Sequence, residues 1–296
     1  MLVYILGHKG WIGQMFIKIF ESQHIPYKLS SVRGEDDSIF EEIKGCTHVL
    51  CCIGRTYGTH NGFQYNTIDY LEHSETLEEN INDNLYVPVK LGIYCSQNNI
   101  HFTYLGTGCI YTYDGNIPTS TPNVLETTTP NFKGSKYSLV KSFTNNLINI
   151  LPVLHLRIRM PITSEKSHRN LIDKIVNYKR ICSIPNSMSI LDELIPIAVE
   201  MIKNNITGVF NLTNPGSISH NEILEMYKEI VDPNHTWENI SVEDQDKLLL
   251  GKRSNNFMDT QKLEIFHKIY AEHLPLHNIR EGVEIVMEKY NALNKI

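Results

Sequence analysis

The segment YILGHKGWIG, Tyr4 to Gly13, runs apolar side chains straight into glycines at positions 7, 10 and 13. An apolar run ending in glycines reads as a buried strand that turns tightly into a helix, here opening at Trp11 and Ile12. Glycines at such a turn let the backbone approach a phosphate, and the first turn of a helix favours negative charge. The spacing G-x-x-G-x-x-G is a variant of the G-x-G-x-x-G dinucleotide fingerprint. Gly7, Gly10, Trp11, Ile12 and Gly13 are therefore candidate pyrophosphate contacts. An ordinary strand–turn–helix corner reads the same way, so the rest of the chain has to decide.

Outward from that corner, apolar positions recur at helical spacing through Ile12, Met15, Phe16, Ile19 and Phe20. Strands are expected at 2–6, 27–31, 47–54, 100–107 and 153–160, with helices at 11–23, 38–44, 75–98 and 136–149 between them. A loop is expected from Arg55 to Tyr70. Strands alternating with helices predict β-α-β units, hence an α/β fold with a doubly wound, Rossmann-like parallel sheet. Beyond it, helices are expected near 168–179, 191–204, 219–230 and 278–292, with a strand at 208–213.

The 296 residues are 41% hydrophobic and 20% charged, an ordinary globular composition. A net charge of −6 without a Lys/Arg run argues against nucleic-acid and membrane-surface partners. No apolar stretch approaches the roughly 20 residues of a membrane span, and the N-terminus does not read as a signal peptide. The expected location is the cytoplasm. The six cysteines, Cys46, Cys51, Cys52, Cys95, Cys109 and Cys182, form no C-x-x-C pair and no zinc-spaced cluster, so thiols and no metal site are expected.

At the end of the second strand, NAD-specific sheets carry an acid for the ribose 2′-hydroxyl. Here Ser30 and Ser31 fall at that place, the acids Glu35 and Asp36 come later, and Arg33 lies just beyond the strand. Hydroxyls and a guanidinium suit a 2′-phosphate, which favours NADPH, with NADH as the alternative. Arg33 as a plain solvated loop residue is the competing reading.

In YSLVK, Tyr137 and Lys141 stand four apart and share a helical face. An ammonium near a phenol stabilises the phenolate, which fits Tyr137 for proton transfer to an oxygen. Thr107, at the end of the fourth strand, offers a hydroxyl to the same oxygen. Cys109 comes two residues later, on the same side of an extended chain. A buried core thiol is the competing reading for Cys109.

GHKGWIG (7–13), TGCIY (107–111), YDG (113–115) and YSLVK (137–141) resemble the extended short-chain dehydrogenase/reductases. LRIRMPI (156–162), NLIDKI (170–175), IPNSMSILDELIPIA (184–198), GVFNLTNPGSISHNEILEMY (208–227) and RSNN (253–256) resemble the plant nucleotide-rhamnose synthases, which are UDP-4-keto-6-deoxyglucose 3,5-epimerase/4-reductases. The chain is similar, more distantly, to the dTDP-4-dehydrorhamnose reductases and GDP-fucose synthases. CCIGRTYGTHNG (51–62) departs from the plant pattern, and His8 is unusual in the glycine loop.

The resemblance implies an NADP-binding Rossmann domain over 1–160, with 180–205 returning to it, and a smaller C-terminal α/β substrate lobe over 161–179 and 206–296. It implies Thr107, Tyr137 and Lys141 as the reductase set, and Cys109 with Lys174 as the epimerase pair. A solvated helix lysine is the competing reading for Lys174. It further implies a UDP-4-keto-6-deoxy sugar substrate. Since no dehydratase domain is read ahead of this one, a separate upstream 4,6-dehydratase is expected. The sequence leaves open UDP against dTDP and the oligomeric state, a homodimer being one expectation. A 4-keto sugar has acidic C–H bonds at C3 and C5, and removing either proton places charge on O4. Thr107 and Tyr137 would hydrogen-bond O4 in both epimerisation and reduction. The alternatives are a dTDP-4-dehydrorhamnose reductase, a GDP-fucose-synthase-like enzyme, and a silent binding subunit of the same fold, such as the regulatory subunit of methionine adenosyltransferase.

Overall fold

The computed structural model describes residues 1–294, which fall into two compact units. The first comprises Met1–Thr107, Ser135–Arg157 and Ile195–Phe210; the second comprises Gly108–Gly134, Ile158–Leu194 and Asn211 onward.

The first unit is built on a six-stranded sheet. Its strands are β1 (Val3–Leu6), β2 (Tyr27–Leu29), β3 (His48–Cys51), β4 (His101–Thr107), β5 (Leu154–Ile158) and β6 (Gly208–Asn211), in the order β6-β5-β4-β3-β1-β2. β1 pairs in parallel with both β2 and β3, and β3 with β4. The strand order reverses between β1 and β3, which is where open α/β sheets bind ligands. Every residue of β1 and β3 is buried, as expected of strands covered on both faces. The helices are α1 (Trp11–Ser22), α2 (Ile39–Ile43), α3 (Val87–Gln97) and α4 (Lys136–Ile148). Ile39, Ile43, Val87, Leu91 and Ile148 from these helices pack on Tyr4, Val49, Phe102 and Tyr104 of the sheet. Cys46, Cys51 and Cys95 sit in this core as small apolar groups.

The second unit has its own core of Ile162, Ile172, Ile175, Met188, Ile190, Ile223, Val283 and Met287, with their neighbours. Its helix His220–Ile230 starts in a capping box made by Ser219 and Glu222. Pro161–Ile162 pairs with Ser189–Ile190, and Arg180–Ile181 with Glu238–Asn239.

Three local readings differ from the sequence expectation. The loop after β3 contains an antiparallel hairpin, Gly58–His60 with Phe63–Tyr65. It turns at Asn61 and Gly62, both at positive φ (48° and 79°), the signature of a tight Asn-Gly turn. The helix expected over 75–98 runs from Leu77 to Gln97 but contains a wide π turn at Asn82–Tyr86 ahead of α3. Pro88 in the first turn of α3 lacks the N–H that a continuous helix needs there. The sequence reading runs the first domain to residue 160. By packing, Gly108–Gly134 groups with the second unit, where Ile110, Tyr111 and Val124 cluster on Met258, and the returning residues are 195–210.

Candidate active site

The glycine corner is built as a phosphate loop requires. Gly7 has φ +84°, and a Cβ there would lie 2.8 Å from the Cys52 carbonyl carbon at the end of β3. A Cβ on Gly13 would strike the Gly7 carbonyl oxygen and lie 2.9 Å from His8 Cα. Gly10 caps α1 without a side chain, and no acid occupies the first turn. Bare backbone, a helix N-terminus and the absence of negative charge fit a dinucleotide pyrophosphate. Trp11 and Ile12 open that helix and remain partly accessible.

The tip of β2 holds a residue the sequence reading missed. Glu42 reaches back from α2, accepting hydrogen bonds from Tyr4 Oη (2.6 Å), the Ser31 N–H (3.1 Å) and the Ser31 hydroxyl. Burial would raise its carboxyl pKa, but the bonds from Ser31 and Tyr4 outweigh this and hold it below the ordinary value. Ser30 Oγ lies 2.6 Å from Tyr4 Oη and donates to the Val32 carbonyl. Arg33 is 75% exposed and pairs with Glu35 at 2.8 Å. Both serines are thus engaged within the protein, and a carboxylate stands where the sequence suggested only hydroxyls. The signal was hidden because Glu42 lies on the following helix rather than on the strand.

Thr107, Tyr137 and Lys141 all belong to the first unit and all are nearly buried, at 7%, 7% and 4% exposure. Thr107 ends β4. Ser135 caps α4, its side chain accepting from the Ser138 N–H, which sets the first turn that carries Tyr137. Glu72 fixes the same turn by accepting from Lys136 N–H (2.9 Å), while Lys136 Nζ donates to the Glu72 carbonyl. The Lys141 ammonium donates to Tyr104 Oη and lies 4.7 Å from that ring's centroid. Burial keeps the Tyr104 phenol protonated, far above its ordinary pKa. Burial, with Arg157 and Lys141 nearby, keeps His155 neutral. The Tyr104 and His155 rings beside Lys141 are therefore neutral. Asn84, in the π turn, was also missed. It clamps the strand-end loop by accepting from Arg55 N–H (3.1 Å) and donating to the Arg55 carbonyl (2.9 Å), beside Gly54 and Lys141. A π turn at such a place is a recurrent functional device; Asn80 and Asn84, four apart, were the available signal.

Cys109 and Lys174 belong to the second unit. Gly108 links Cys109 to Thr107 along the chain and donates its N–H to the Ile158 carbonyl at 2.9 Å. Cys109 is partly exposed, and its sulfur lies 3.5 Å from Arg159 Nη1. Arg159 is a third missed residue, read in sequence only as part of a strand. Lys174 lies on the short helix Leu171–Ile175, started by the Asn170 side chain. Burial depresses its pKa to about 8, and the like charges of Arg169 and Arg253 add to this.

The chain matches no family model. It is 50% identical over 291 residues to the L780 protein of Acanthamoeba polyphaga mimivirus, covering 96% of this chain and 97% of that one. The crystal structure of the L780 UDP-rhamnose synthase from that virus is similar at a TM-score of 0.91 and 46% identity, covering 98% and 99% of the two chains. A bifunctional dTDP-4-dehydrorhamnose 3,5-epimerase/dTDP-4-dehydrorhamnose reductase of Arabidopsis thaliana is 41% identical over 266 residues, 88% of this chain and 85% of the relative. A dTDP-4-dehydrorhamnose reductase structure from Clostridium acetobutylicum, at 13% identity and a TM-score of 0.73 over the whole of both chains, shows the shared Rossmann-like fold. The chain belongs to the family of bifunctional nucleotide-sugar 3,5-epimerase/4-reductases that includes the UDP-rhamnose synthases.

Proposed function

We propose that this enzyme converts UDP-4-keto-6-deoxy-D-glucose to UDP-L-rhamnose by inverting C3 and C5 and then reducing C4. The observation that carries the reading is a thiol two residues beyond the hydroxyl of a reductase set. Thr107, Tyr137 and Lys141 alone would make a 4-reductase; Cys109 and Lys174 add a base and an acid. Thr107 and Tyr137 donate hydrogen bonds to O4, where charge collects when C3 or C5 loses its proton. Cys109 takes that proton, and Lys174, protonated below about pH 8, returns one from the other face of the ring. In the reduction Tyr137 protonates O4, with Lys141 favouring its phenolate.

The bound nicotinamide would supply hydride to C4. Arg33 favours NADPH by its charge, and Glu42 accepts a ribose hydroxyl and so admits NADH. The 4-keto group is installed beforehand by a nucleotide-sugar 4,6-dehydratase activity. No helix of the described residues is long and apolar enough to cross a membrane, and among the described residues no cysteine is in a disulfide; the reading places the enzyme in the cytoplasm. Leu139, Phe143 and Leu147 form an exposed apolar stripe on α4, continued by Ile150 at 79% exposure. This supports a homodimer through that face.

The test mixes purified protein with UDP-4-keto-6-deoxyglucose and NADPH and identifies the product by NMR. UDP-L-rhamnose is expected. NADPH oxidation without inversion at C3 and C5 would reduce the assignment to a 4-reductase.

A further inference from the structure

We propose that Arg159 is the counter-ion of the Cys109 thiolate and the positioning residue for the epimerase base. The proposal rests on the reading of Cys109 as that base.

Arg159 is 1% exposed. Its Nη1 donates to Ser254 Oγ (2.9 Å), the Gly108 carbonyl (3.3 Å) and Cys109 Sγ (3.5 Å). Its Nη2 donates to Asn186 Oδ1 (2.5 Å) and the Ser254 carbonyl (2.6 Å). Its Nε, also buried, has no hydrogen-bond partner. Among the described residues no carboxylate pairs with this guanidinium. A buried cation without an anion is among the least favourable arrangements in a protein interior. Hydroxyl, amide and carbonyl dipoles solvate Arg159 but do not neutralise it.

The other titratable groups around it cannot supply the anion. The Tyr113 phenol is pushed up by burial, which outweighs the opposing pull of Arg159. His220 is held neutral, its pKa lowered to about 4 chiefly by burial, with the positive charge of Arg159 also contributing. Among the described residues, Cys109 is the acidic side chain that Arg159 hydrogen-bonds, and its interaction with Arg159 acts against the effect of burial. The frame is rigid on both sides. Asn186 is held through Asn255 and the Ile184 carbonyl, and Asn256 donates to the carbonyls of Gly108 and Tyr111. A Cβ on Gly108 would meet Met258 Sδ at 2.5 Å, so the backbone carrying the thiol packs closely on Met258.

In the reaction the thiolate takes the proton from C3 or C5. The C–H electron pair passes into the C4 carbonyl as the enolate, and sulfur becomes the thiol. Arg159 remains a cation throughout. Return of a proton to carbon, and loss of the thiol proton to water, restore the pair.

The test reads Cys109 alkylation by iodoacetamide against pH, by peptide mass spectrometry, together with solvent deuterium wash-in at C3 and C5. Arg159→Gln should move the alkylation midpoint up by about one pH unit, a tenfold loss of thiolate at a fixed pH below it. Wash-in near neutral pH should fall by at least tenfold. Arg159→Lys, which keeps the charge, should restore the midpoint. A second measurement leaves Arg159 untouched: urea unfolding of wild type and Cys109→Ala at pH 6.5 and 9.5. A thiolate stabilised in the folded state strengthens folding as pH rises, so the wild-type advantage should grow with pH. An unchanged midpoint in Arg159→Gln, or a pH-independent difference from Cys109→Ala, overturns the proposal. If Cys109→Ser abolishes wash-in while Arg159→Gln leaves it intact, the proposal fails and the epimerase reading stands. If Cys109→Ser washes in deuterium at the wild-type rate, the epimerase reading itself fails.

Discussion

Lys174→Met should make this protein more stable near neutral pH while removing its epimerase activity. Burial, then Arg169 and Arg253, bring the Lys174 pKa from 10.5 to about 8. Below pH 8 the ammonium is charged in both folded and unfolded chains, so the folded state bears the full unfavourable burial. Between about 8 and 10.5 the folded chain releases the proton and the unfolded chain keeps it. Stability from this group therefore rises with pH across that window. The difference corresponds to an upper bound on the order of 3 kcal/mol at pH 7. Methionine matches the length of the stem and carries no charge, so it should recover part of that amount. Urea unfolding of wild type and variant at pH 7 and pH 10 checks this. The stabilisation should be present at pH 7 and largely gone at pH 10; an advantage equal at both would refute the burial argument.

The same shift sets the alkaline limb of catalysis. At pH 7 roughly 90% of Lys174 is an ammonium able to return a proton, and at pH 9 only about 10%. Deuterium wash-in should fall above pH 8, where an ordinary lysine would hold its proton past pH 10. Burial is the largest cause and the two arginines share the rest. Arg169→Gln should thus raise the limb by less than half of the displacement, under about 1.2 pH units. A limb that stays in place in Arg169→Gln would remove Lys174 from the proton path.

Tyr137→Phe should abolish 4-keto reduction with the melting temperature nearly unchanged, since the ring stays packed and only the proton donor goes; near-normal NADPH turnover would contradict the role. Gly13→Ala should weaken NADPH binding at least tenfold in a fluorescence titration, because the new Cβ collides with backbone at Gly7 and His8; wild-type affinity would mean the corner yields more easily than its geometry allows. Glu42→Gln should raise the NADPH-to-NADH preference in kcat/KM, and Arg33→Ala should lower it; equal effects on both cofactors would place these residues outside the ribose contacts.

Features set by local pattern were legible along the chain. The apolar run into Gly7, Gly10 and Gly13 specified a strand–turn–helix corner, because few residues other than glycine tolerate that φ and that backbone approach. Alternating strand and helix periods specified a parallel sheet, and the four-residue step from Tyr137 to Lys141 specified a shared helical face. Contacts between residues far apart in the chain emerged only with the folded structure. Glu42 reaches the tip of β2 because α2 folds back over it. Arg159 meets Cys109 across 50 positions because β5 runs out beside β4, and nothing near either residue announces the meeting. The π turn at Asn82–Tyr86 is signalled by Pro88, yet its use, with Asn84 holding the Arg55 backbone, depends on where β3 ends. Periodicity and turn chemistry are short-range and can be read residue by residue. Electrostatic partners are chosen by burial and topology, since a charge taken out of water must find its counterpart wherever the fold has placed one.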